Sequence, residues 1–384
     1  MIPYGRQTIS QQDIDAVVDV LRSDFLTQGP QVPAFEKAVA AACGAAHALA
    51  MNSATSALHV ACMALSVGPE DRVWTSPNTF LASANCARYC GADIDFVDID
   101  PVTYNLCADQ LARKLEAAEK TGTLPKVVIP VHFAGQPCDM AAIAALADRY
   151  GFAVIEDASH AIGATYGDSL VGDCRYSDIT IFSFHPVKIV TTAEGGIATC
   201  RDPALAARMA SLRSHGMTRD PALMIRESEG PWYYEQIELG YNYRLTELQA
   251  ALGLSQMTQL QPWIERRHAL ADRYDGALAD LPIVRPARPA GRRSALHLYP
   301  IQVGTGASIN RRSLFDGLRE AGIGVNVHYI PVHLQPYYRQ FGFKPGDFPV
   351  AEAYYRRAIS LPLYAALGEP EQDLVVNALR SLLT

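Results

Sequence analysis

One lysine, Lys188, has the surroundings of a residue that bonds covalently to a carbonyl compound. Residues 181–196 read Ile-Phe-Ser-Phe-His-Pro-Val-Lys-Ile-Val-Thr-Thr-Ala-Glu-Gly-Gly, which places Lys188 between an apolar, strand-like run and a turn of small residues. Apolar neighbours favour burial, which lowers the pKa of a lysine and increases its nucleophilic, neutral fraction. The alternative is a surface lysine at a strand end. The amine is a candidate to bond to the aldehyde of pyridoxal 5′-phosphate.

That cofactor requires a carboxylate that bonds to its ring nitrogen. Asp157 follows the apolar run 153–156 and stands 31 positions before Lys188, which leaves room for one connection and one strand between them. A carboxylate there keeps the ring protonated, so that the ring can accept electrons. The alternative is an N-cap of the next helix. His160 could orient Asp157 or contact the ring 3′-oxygen, or be a core histidine.

The cofactor also requires phosphate donors and a flat apolar neighbour. Residues 52–58 read Asn-Ser-Ala-Thr-Ser-Ala-Leu between a predicted strand and a predicted helix, and backbone N–H groups at a helix start bind phosphate. Thr55 and Ser183 could add hydroxyl groups, although simple capping or a strand hydrogen bond would explain them too. Phe80 follows a strand and could stack on the ring, with core packing as the alternative.

The composition favours a large globular enzyme. The 384 residues are 49% hydrophobic and 19% charged, with a formal net charge of −7 and no basic block, which disfavours nucleic acid. No signal-peptide pattern or membrane-spanning apolar segment is evident. The eight cysteines form no Cys-x-x-Cys pair, which favours buried thiols over zinc ligands. We expect a cytoplasmic enzyme that binds no metal.

Strand and helix patterns alternate through the first part of the chain, which predicts an α/β fold with a largely parallel sheet. Apolar runs predict strands at 48–51, 72–75, 94–97, 126–131, 153–156 and 179–183, and helical periodicity predicts helices at 13–21, 32–42, 57–65, 82–90 and 140–150. Ligands bind at the carboxyl ends of strands in such sheets. The candidate residues all follow predicted strands.

The second part of the chain predicts a smaller domain. A long helix over 245–260 would lead into strands at 297–301 and 325–329 and helices at 311–321 and 373–383, with a loop rich in Pro, Arg and Gly at 286–291. We therefore expect a large domain over residues 1–260 and a small domain over 261–384.

Four segments, at 52–58, 156–161, 183–188 and 240–245, resemble the DegT-type sugar-nucleotide aminotransferases. The resemblance extends over nearly the whole chain. It implies a pyridoxal phosphate-dependent transferase of fold type I, with a mostly parallel central sheet in the large domain and a smaller α+β C-terminal domain. It also implies a homodimer with active sites at the interface.

The resemblance assigns roles to individual residues. Lys188 would be the catalytic residue that bonds to the cofactor, and Asp157 would contact the ring nitrogen. The remaining cofactor contacts would be Ala54, Thr55 and Ser183 at the phosphate, Phe80 and His160 at the ring, and Asn242 at the phosphate of the neighbouring subunit. Candidates for substrate contacts are Tyr4, Arg213, His215, His328 and Tyr329, with strand packing as the alternative for the last two.

Within the family, the chain is most similar to the C4 aminotransferases of pseudaminic acid biosynthesis. Residues 26–29, 184–196, 212–217, 250–256 and 297–301 carry this similarity. It implies amino transfer from L-glutamate, released as 2-oxoglutarate, to C4 of a UDP-linked 2-acetamido-2,6-dideoxy-4-hexulose. The family's 3-dehydratases carry histidine where this chain has Lys188, so that branch is disfavoured.

Three alternatives remain open at this point. The enzyme could act on another nucleotide 4-keto-6-deoxy sugar, of the bacillosamine, legionaminic or perosamine type. It could catalyse another pyridoxal phosphate reaction, such as decarboxylation. A non-catalytic ligand sensor on the same fold is the third, although no basic DNA-binding segment is evident.

Overall fold

A computed structural model describes residues 1–383. Its helices are α1 Gln11–Leu21, α2 Gln31–Cys43, α3 Ala54–Ala64, α4 Ala82–Tyr89, α5 Ala108–Thr121, α6 Met140–Tyr150, α7 Pro203–Leu212, α8 Glu247–Met257, α9 Leu260–Ala277, α10 Arg311–Glu320, α11 Pro336–Arg339, α12 Pro349–Arg357 and α13 Glu369–Leu383. Its strands are β1 His47–Met51, β2 Arg72–Thr75, β3 Asp93–Phe96, β4 Val127–Ile129, β5 Ala153–Asp157, β6 Thr165–Tyr166, β7 Ser169–Leu170, β8 Ile179–Ser183, β9 Gly196–Cys200, β10 Met217–Thr218, β11 Glu235–Gln236, β12 Ile283–Val284, β13 Arg292–Arg293, β14 Tyr299–Val303 and β15 Ala358–Leu361.

A central sheet of seven strands has the order β1-β9-β8-β5-β4-β2-β3. Strands β3, β2, β4, β5 and β8 run parallel, whereas β9 is antiparallel to both β8 and β1. The strands in the middle are buried along their length, as expected for a sheet covered on both faces. The predicted α/β fold with a mostly parallel sheet is confirmed, and β5 and β8 end at the same edge.

A second, smaller core lies in the C-terminal part of the chain. The three-stranded sheet β12-β14-β15 shares an apolar cluster with α9, α10 and α13. The amino terminus joins this part, because the Ile2 N–H donates to the Gly322 carbonyl at 2.8 Å and the Gly324 N–H donates to the Ile2 carbonyl at 2.6 Å. We propose that the boundary between the large and the small domain lies at residue 260, and that the first residues of the chain pack on the small domain.

Two predicted elements are wrong. The helix predicted over 245–260 is two helices, α8 and α9, separated by Thr258 and Gln259. Pro262 lies in the first turn of α9, where the N–H that proline lacks would have no partner within the helix. In the interior of one continuous helix the same proline would remove a hydrogen bond and clash with the preceding turn. The strand predicted over 325–329 is irregular and makes only one isolated bridge, between Asn326 and Ser360. No helix within residues 1–383 has the length and apolar character to cross a membrane.

Candidate active site

A cavity of about 530 Å³ lies at the edge of the sheet where β5 and β8 end. This volume falls within the usual range of small-molecule sites. Ten of the predicted site residues line it: Tyr4, Ala54, Thr55, Phe80, Asp157, His160, Ser183, Lys188, His328 and Tyr329. The cavity is also lined by residues that were not predicted from the sequence, among them Ser53, Thr79, His185, Glu194, His297 and Asn326.

Lys188 is presented to the cavity by the loop between β8 and β9. The Lys188 N–H donates to the His185 carbonyl at 2.9 Å, and the Thr192 N–H donates to the Phe184 carbonyl at 2.9 Å, so the loop is closed at both ends. The half-buried Lys188 side chain borders the cavity. Burial lowers its pKa to about 8, and the opposing charge of Asp157 limits the shift. Because the neutral amine is the nucleophilic form, the lowered pKa increases the nucleophilic fraction near neutral pH.

Asp157, the last residue of β5, is buried and held by two hydrogen bonds. The Ser83 hydroxyl, in the first turn of α4, donates to Asp157 Oδ2 at 2.5 Å, and the Ser159 N–H donates to Oδ1 at 3.0 Å. Thr79 extends this chain because its hydroxyl lies 2.8 Å from that of Ser83. Sequence reasoning missed Ser83. The spacing of Thr79 and Ser83, four residues apart at a helix start, was the available signal.

The start of α3 forms a cradle for an anion. Ser53 is the N-cap, and its hydroxyl accepts the Ser56 N–H at 3.0 Å. The N–H groups of Ala54 and Thr55 have no carbonyl partner within the helix. Gly196 lies against this turn, where a Cβ would approach the Ala54 nitrogen to 2.4 Å. Only glycine therefore allows the close approach of β9 to the start of α3.

Imidazole and phenol groups form another wall of the cavity. His160 Nε2 lies 3.2 Å from the Tyr329 hydroxyl, and His328 Nδ1 lies 2.8 Å from the Ser360 hydroxyl. Burial, together with the charge of Lys188, lowers the pKa of His328 to about 3. Burial, Lys188 and His328 lower the pKa of His160 well below its usual value. Both imidazoles are therefore neutral at physiological pH.

Three predicted site residues, Arg213, His215 and Asn242, do not line the cavity of their own chain. The Arg213 guanidinium donates to the Ala50 carbonyl at 2.6 Å and pairs with Glu36. The His215 N–H donates to the Tyr241 carbonyl at 3.0 Å, and Asn242 forms a bridge with Ser214 and is exposed. The substrate roles of Arg213 and His215 and the intersubunit role of Asn242 stay predictions.

The residues around the cavity fit pyridoxal 5′-phosphate. A lysine with a lowered pKa and an oriented, buried carboxylate border the same space, and the start of α3 brings backbone N–H groups to it. Lys188 would hold the aldehyde carbon, Asp157 the ring N–H, and Ala54, Thr55 and Ser183 the phosphate. Phe80, exposed at the rim, would contact the ring face.

Known proteins are similar to this chain in both sequence and fold. The profile of the DegT/DnrJ/EryC1/StrS aminotransferase family matches residues 7–380. The chain is 43% identical to the spore coat polysaccharide biosynthesis protein SpsC of Bacillus subtilis, over 99% of this chain and 97% of that protein. It is 36% identical to the UDP-4-amino-4,6-dideoxy-N-acetyl-beta-L-altrosamine transaminase of Campylobacter jejuni, over 100% of this chain and 98% of that protein.

The fold of a solved relative agrees over the full length. Helicobacter pylori PseC, described as an aminotransferase involved in the biosynthesis of pseudoaminic acid, superposes with a TM-score of 0.91 at 30% identity. The match covers 100% of this chain and 99% of that chain. The expected fold type I architecture and the pyridoxal phosphate cofactor are confirmed.

Proposed function

This chain belongs to the DegT/DnrJ/EryC1/StrS aminotransferase family and is a pyridoxal phosphate-dependent sugar aminotransferase, and we propose that it aminates C4 of a UDP-linked 4-keto-6-deoxy sugar. The observation that carries the proposal is the convergence of Lys188, Asp157 and the start of α3 on one cavity. L-Glutamate would be the amino donor. The preferred acceptor is the 2-acetamido-2,6-dideoxy-4-hexulose of the pseudaminic acid pathway.

Lys188 would transfer protons, and Asp157 would stabilise the positive charge of the ring nitrogen. When bound, pyridoxal 5′-phosphate supplies an electron sink for negative charge at the carbon that carries the amino nitrogen. Lys188, released by the incoming amine, would move a proton between that carbon and the cofactor. Its pKa of about 8 suits both removal and return of the proton. Asp157, oriented by Ser83, would keep the ring nitrogen protonated throughout.

The neutral wall of the cavity suits a sugar with hydroxyl and amide groups. Tyr4, His328 and Tyr329 border the cavity, and their hydroxyl and imidazole groups can donate or accept hydrogen bonds. Such a wall discriminates between sugars by the pairing of polar groups, because a buried donor left unpaired costs binding energy. These residues therefore support the proposed substrate contacts.

The relatives favour C4 amino transfer but leave the sugar open. The Campylobacter jejuni protein is named for a 4-amino-4,6-dideoxy sugar, whereas SpsC, at higher identity, is named only for spore coat polysaccharide biosynthesis. The acceptor sugar of the pseudaminic acid pathway is therefore the first candidate. A different UDP-linked 4-keto-6-deoxy sugar is the second, because the 43% identity to SpsC exceeds the 36% identity to the Campylobacter protein.

We also propose a homodimer with shared active sites. The segment between α7 and α8 exposes large apolar side chains, including Ile225, Trp232 and Leu239, which are 89%, 69% and 73% exposed in the single chain. Several large apolar side chains exposed on one segment are a feature of protein interfaces. Exposed Asn242 lies in the same segment. Light scattering coupled to gel filtration would test this, and a monomer at micromolar concentration would contradict it.

The experiment that tests the function is a substrate panel. The purified enzyme is incubated with L-glutamate and individual UDP-linked 4-keto-6-deoxy sugars, and each amino product is identified by mass and NMR. We expect a new C4 amine and stoichiometric 2-oxoglutarate, and none of either with the K188A variant. Amination at C3, or turnover of glutamate without any sugar product across the panel, would refute the proposal.

A further inference from the structure

A histidine that the sequence analysis did not select, His297, lies against His160 at the back of the cavity. The two imidazole rings are 4.3 Å apart between centroids, with an interplanar angle of 39°. His297 lines the cavity although only 4% of its surface is exposed. Its Nδ1 has no hydrogen-bond partner in the described chain. The ring contact with His160 is therefore its most evident interaction.

The backbone of His297 is fixed from both sides. Its N–H donates to the Ala134 carbonyl at 3.0 Å, and its carbonyl accepts from Arg267 Nη1 at 3.3 Å. The same guanidinium nitrogen donates to the carbonyls of Leu296 at 3.2 Å and Leu363 at 2.9 Å. Arg267 is buried, so its hydrogen bonds with carbonyl groups form within the protein interior. This arrangement leaves little freedom for the His297 backbone.

Gly135 allows this segment to approach the loop of His160. A Cβ at Gly135 would lie 2.8 Å from the His160 carbonyl oxygen, 2.9 Å from the Leu296 nitrogen and 3.1 Å from the His297 nitrogen. Its φ of 92° also lies in the region that favours glycine. The backbones that carry the two histidines therefore meet at one turn, between the central sheet and the C-terminal part of the chain.

Burial and the nearby positive charges keep both imidazole rings neutral. Burial, followed by the nearby His160, Lys188 and Arg267, lowers the pKa of His297 well below its usual value. A neutral pair can stack without the repulsion that two imidazolium ions would have. His160 in turn contacts the Tyr329 hydroxyl and lies three residues after Asp157.

We propose that His297 is a positioning residue, whose ring holds the His160 imidazole in place at the cofactor site. Arg267 and the turn at Gly135 hold the His297 backbone. His160 then meets the bound cofactor with a preset ring orientation, and the C-terminal part of the chain contributes to this orientation. The inference rests on the cofactor identity and does not depend on which sugar is accepted.

The test compares two substitutions of similar volume, H297F and H297L. Both remove the imidazole nitrogens, but only phenylalanine keeps a ring against His160. We expect H297L to bind pyridoxal 5′-phosphate about two- to tenfold more weakly, the factor that an aromatic pair is worth, and to shift the absorbance maximum of the bound cofactor. H297F should keep the wild-type affinity and spectrum. The half-reaction with L-glutamate should show a loss in kcat larger than the change in KM for H297L.

A matched control separates positioning from stability. His333 is also buried but does not line the cavity, and its Nε2 lies 3.0 Å from Glu352 Oε1. H333L should lower the midpoint of thermal unfolding while the cofactor spectrum stays unchanged. The proposal is overturned if H297L retains the wild-type affinity and spectrum. It is also overturned if H297F loses as much as H297L, because the nitrogens and not the ring would then be responsible.

Discussion

The ionisation of Lys188 leads to a quantitative prediction for the pH dependence of cofactor attachment. Burial lowers the pKa of this lysine to about 8. A lysine with the usual pKa of about 10.4 is only ~0.4% neutral at pH 8, whereas a pKa of about 8 makes about half of it neutral. The reactive fraction at pH 8 is therefore about 100-fold larger than that of an ordinary lysine.

The assay follows the attachment of pyridoxal 5′-phosphate to apoenzyme by stopped-flow absorbance between about pH 6.5 and pH 10.5. Only the neutral amine attacks the aldehyde, so the second-order rate constant should rise with pH and level off above a midpoint near pH 8. Pyridoxal, which lacks the phosphate, serves as the control for titration of the phosphate group. The K188A variant should show no covalent attachment.

Asp157 provides a second, independent change in the same experiment. Its negative charge raises the pKa of Lys188 and so opposes the effect of burial. The D157N variant should therefore move the midpoint to lower pH. A wild-type rate that still increases tenfold per pH unit beyond about pH 10 would refute the reasoning, because Lys188 would then ionise as an ordinary exposed lysine. A midpoint that rises in D157N would refute the assigned role of the charge.

Three further substitutions test the surroundings of the site. S83A removes the 2.5 Å hydrogen bond to Asp157 and should lower kcat at least about tenfold, measured in the glutamate half-reaction, because hydrogen bonds to charged groups contribute about 1.5–3 kcal/mol. G196A places a Cβ against Ala54 and should weaken binding of pyridoxal 5′-phosphate more than that of pyridoxal, as read by fluorescence titration. E247Q weakens the acceptor of two N–H groups at the start of α2, at 2.6 and 3.1 Å, and should reduce the free energy of unfolding in urea by about 1–3 kcal/mol. An unchanged kcat in S83A would contradict the first prediction, and equal losses of affinity for both ligands in G196A would contradict the second. An unchanged free energy of unfolding in E247Q would contradict the third.

Much of the large domain was predictable from local patterns. Three elements, β2, β8 and α6, begin and end at the predicted residues, because turn residues bound their apolar patterns. The prediction was weaker beyond residue 245. There the break between α8 and α9 depends on a single proline, and the segment 325–329 lacks the strand partners that its apolar pattern suggested.

The predicted site was largely assembled by the fold. Lys188, Asp157 and Thr55 were found by residue type and by their positions after strands, and all three line one cavity. Ser83 was missed because its partner, Asp157, lies 74 residues away in the sequence. His297 was missed because its ring contacts His160, which is also distant in sequence. Neither contact has a local signature. The pairing of Arg213 with Glu36, which is distant in sequence, likewise has no local signature.

The sequence alone determined the chemistry of this protein: a lysine among apolar and small residues, a carboxylate after a strand, and hydroxyl-rich residues at a helix start. These depend on residue type and short spacing, which any reader of the chain can inspect. The tertiary structure decided whether that chemistry is usable. It desolvated Lys188, brought Ser83 to Asp157 and packed His297 on His160. Each of these effects arises from contacts between distant parts of the chain, and burial and electrostatic interaction exist only after those parts have packed together.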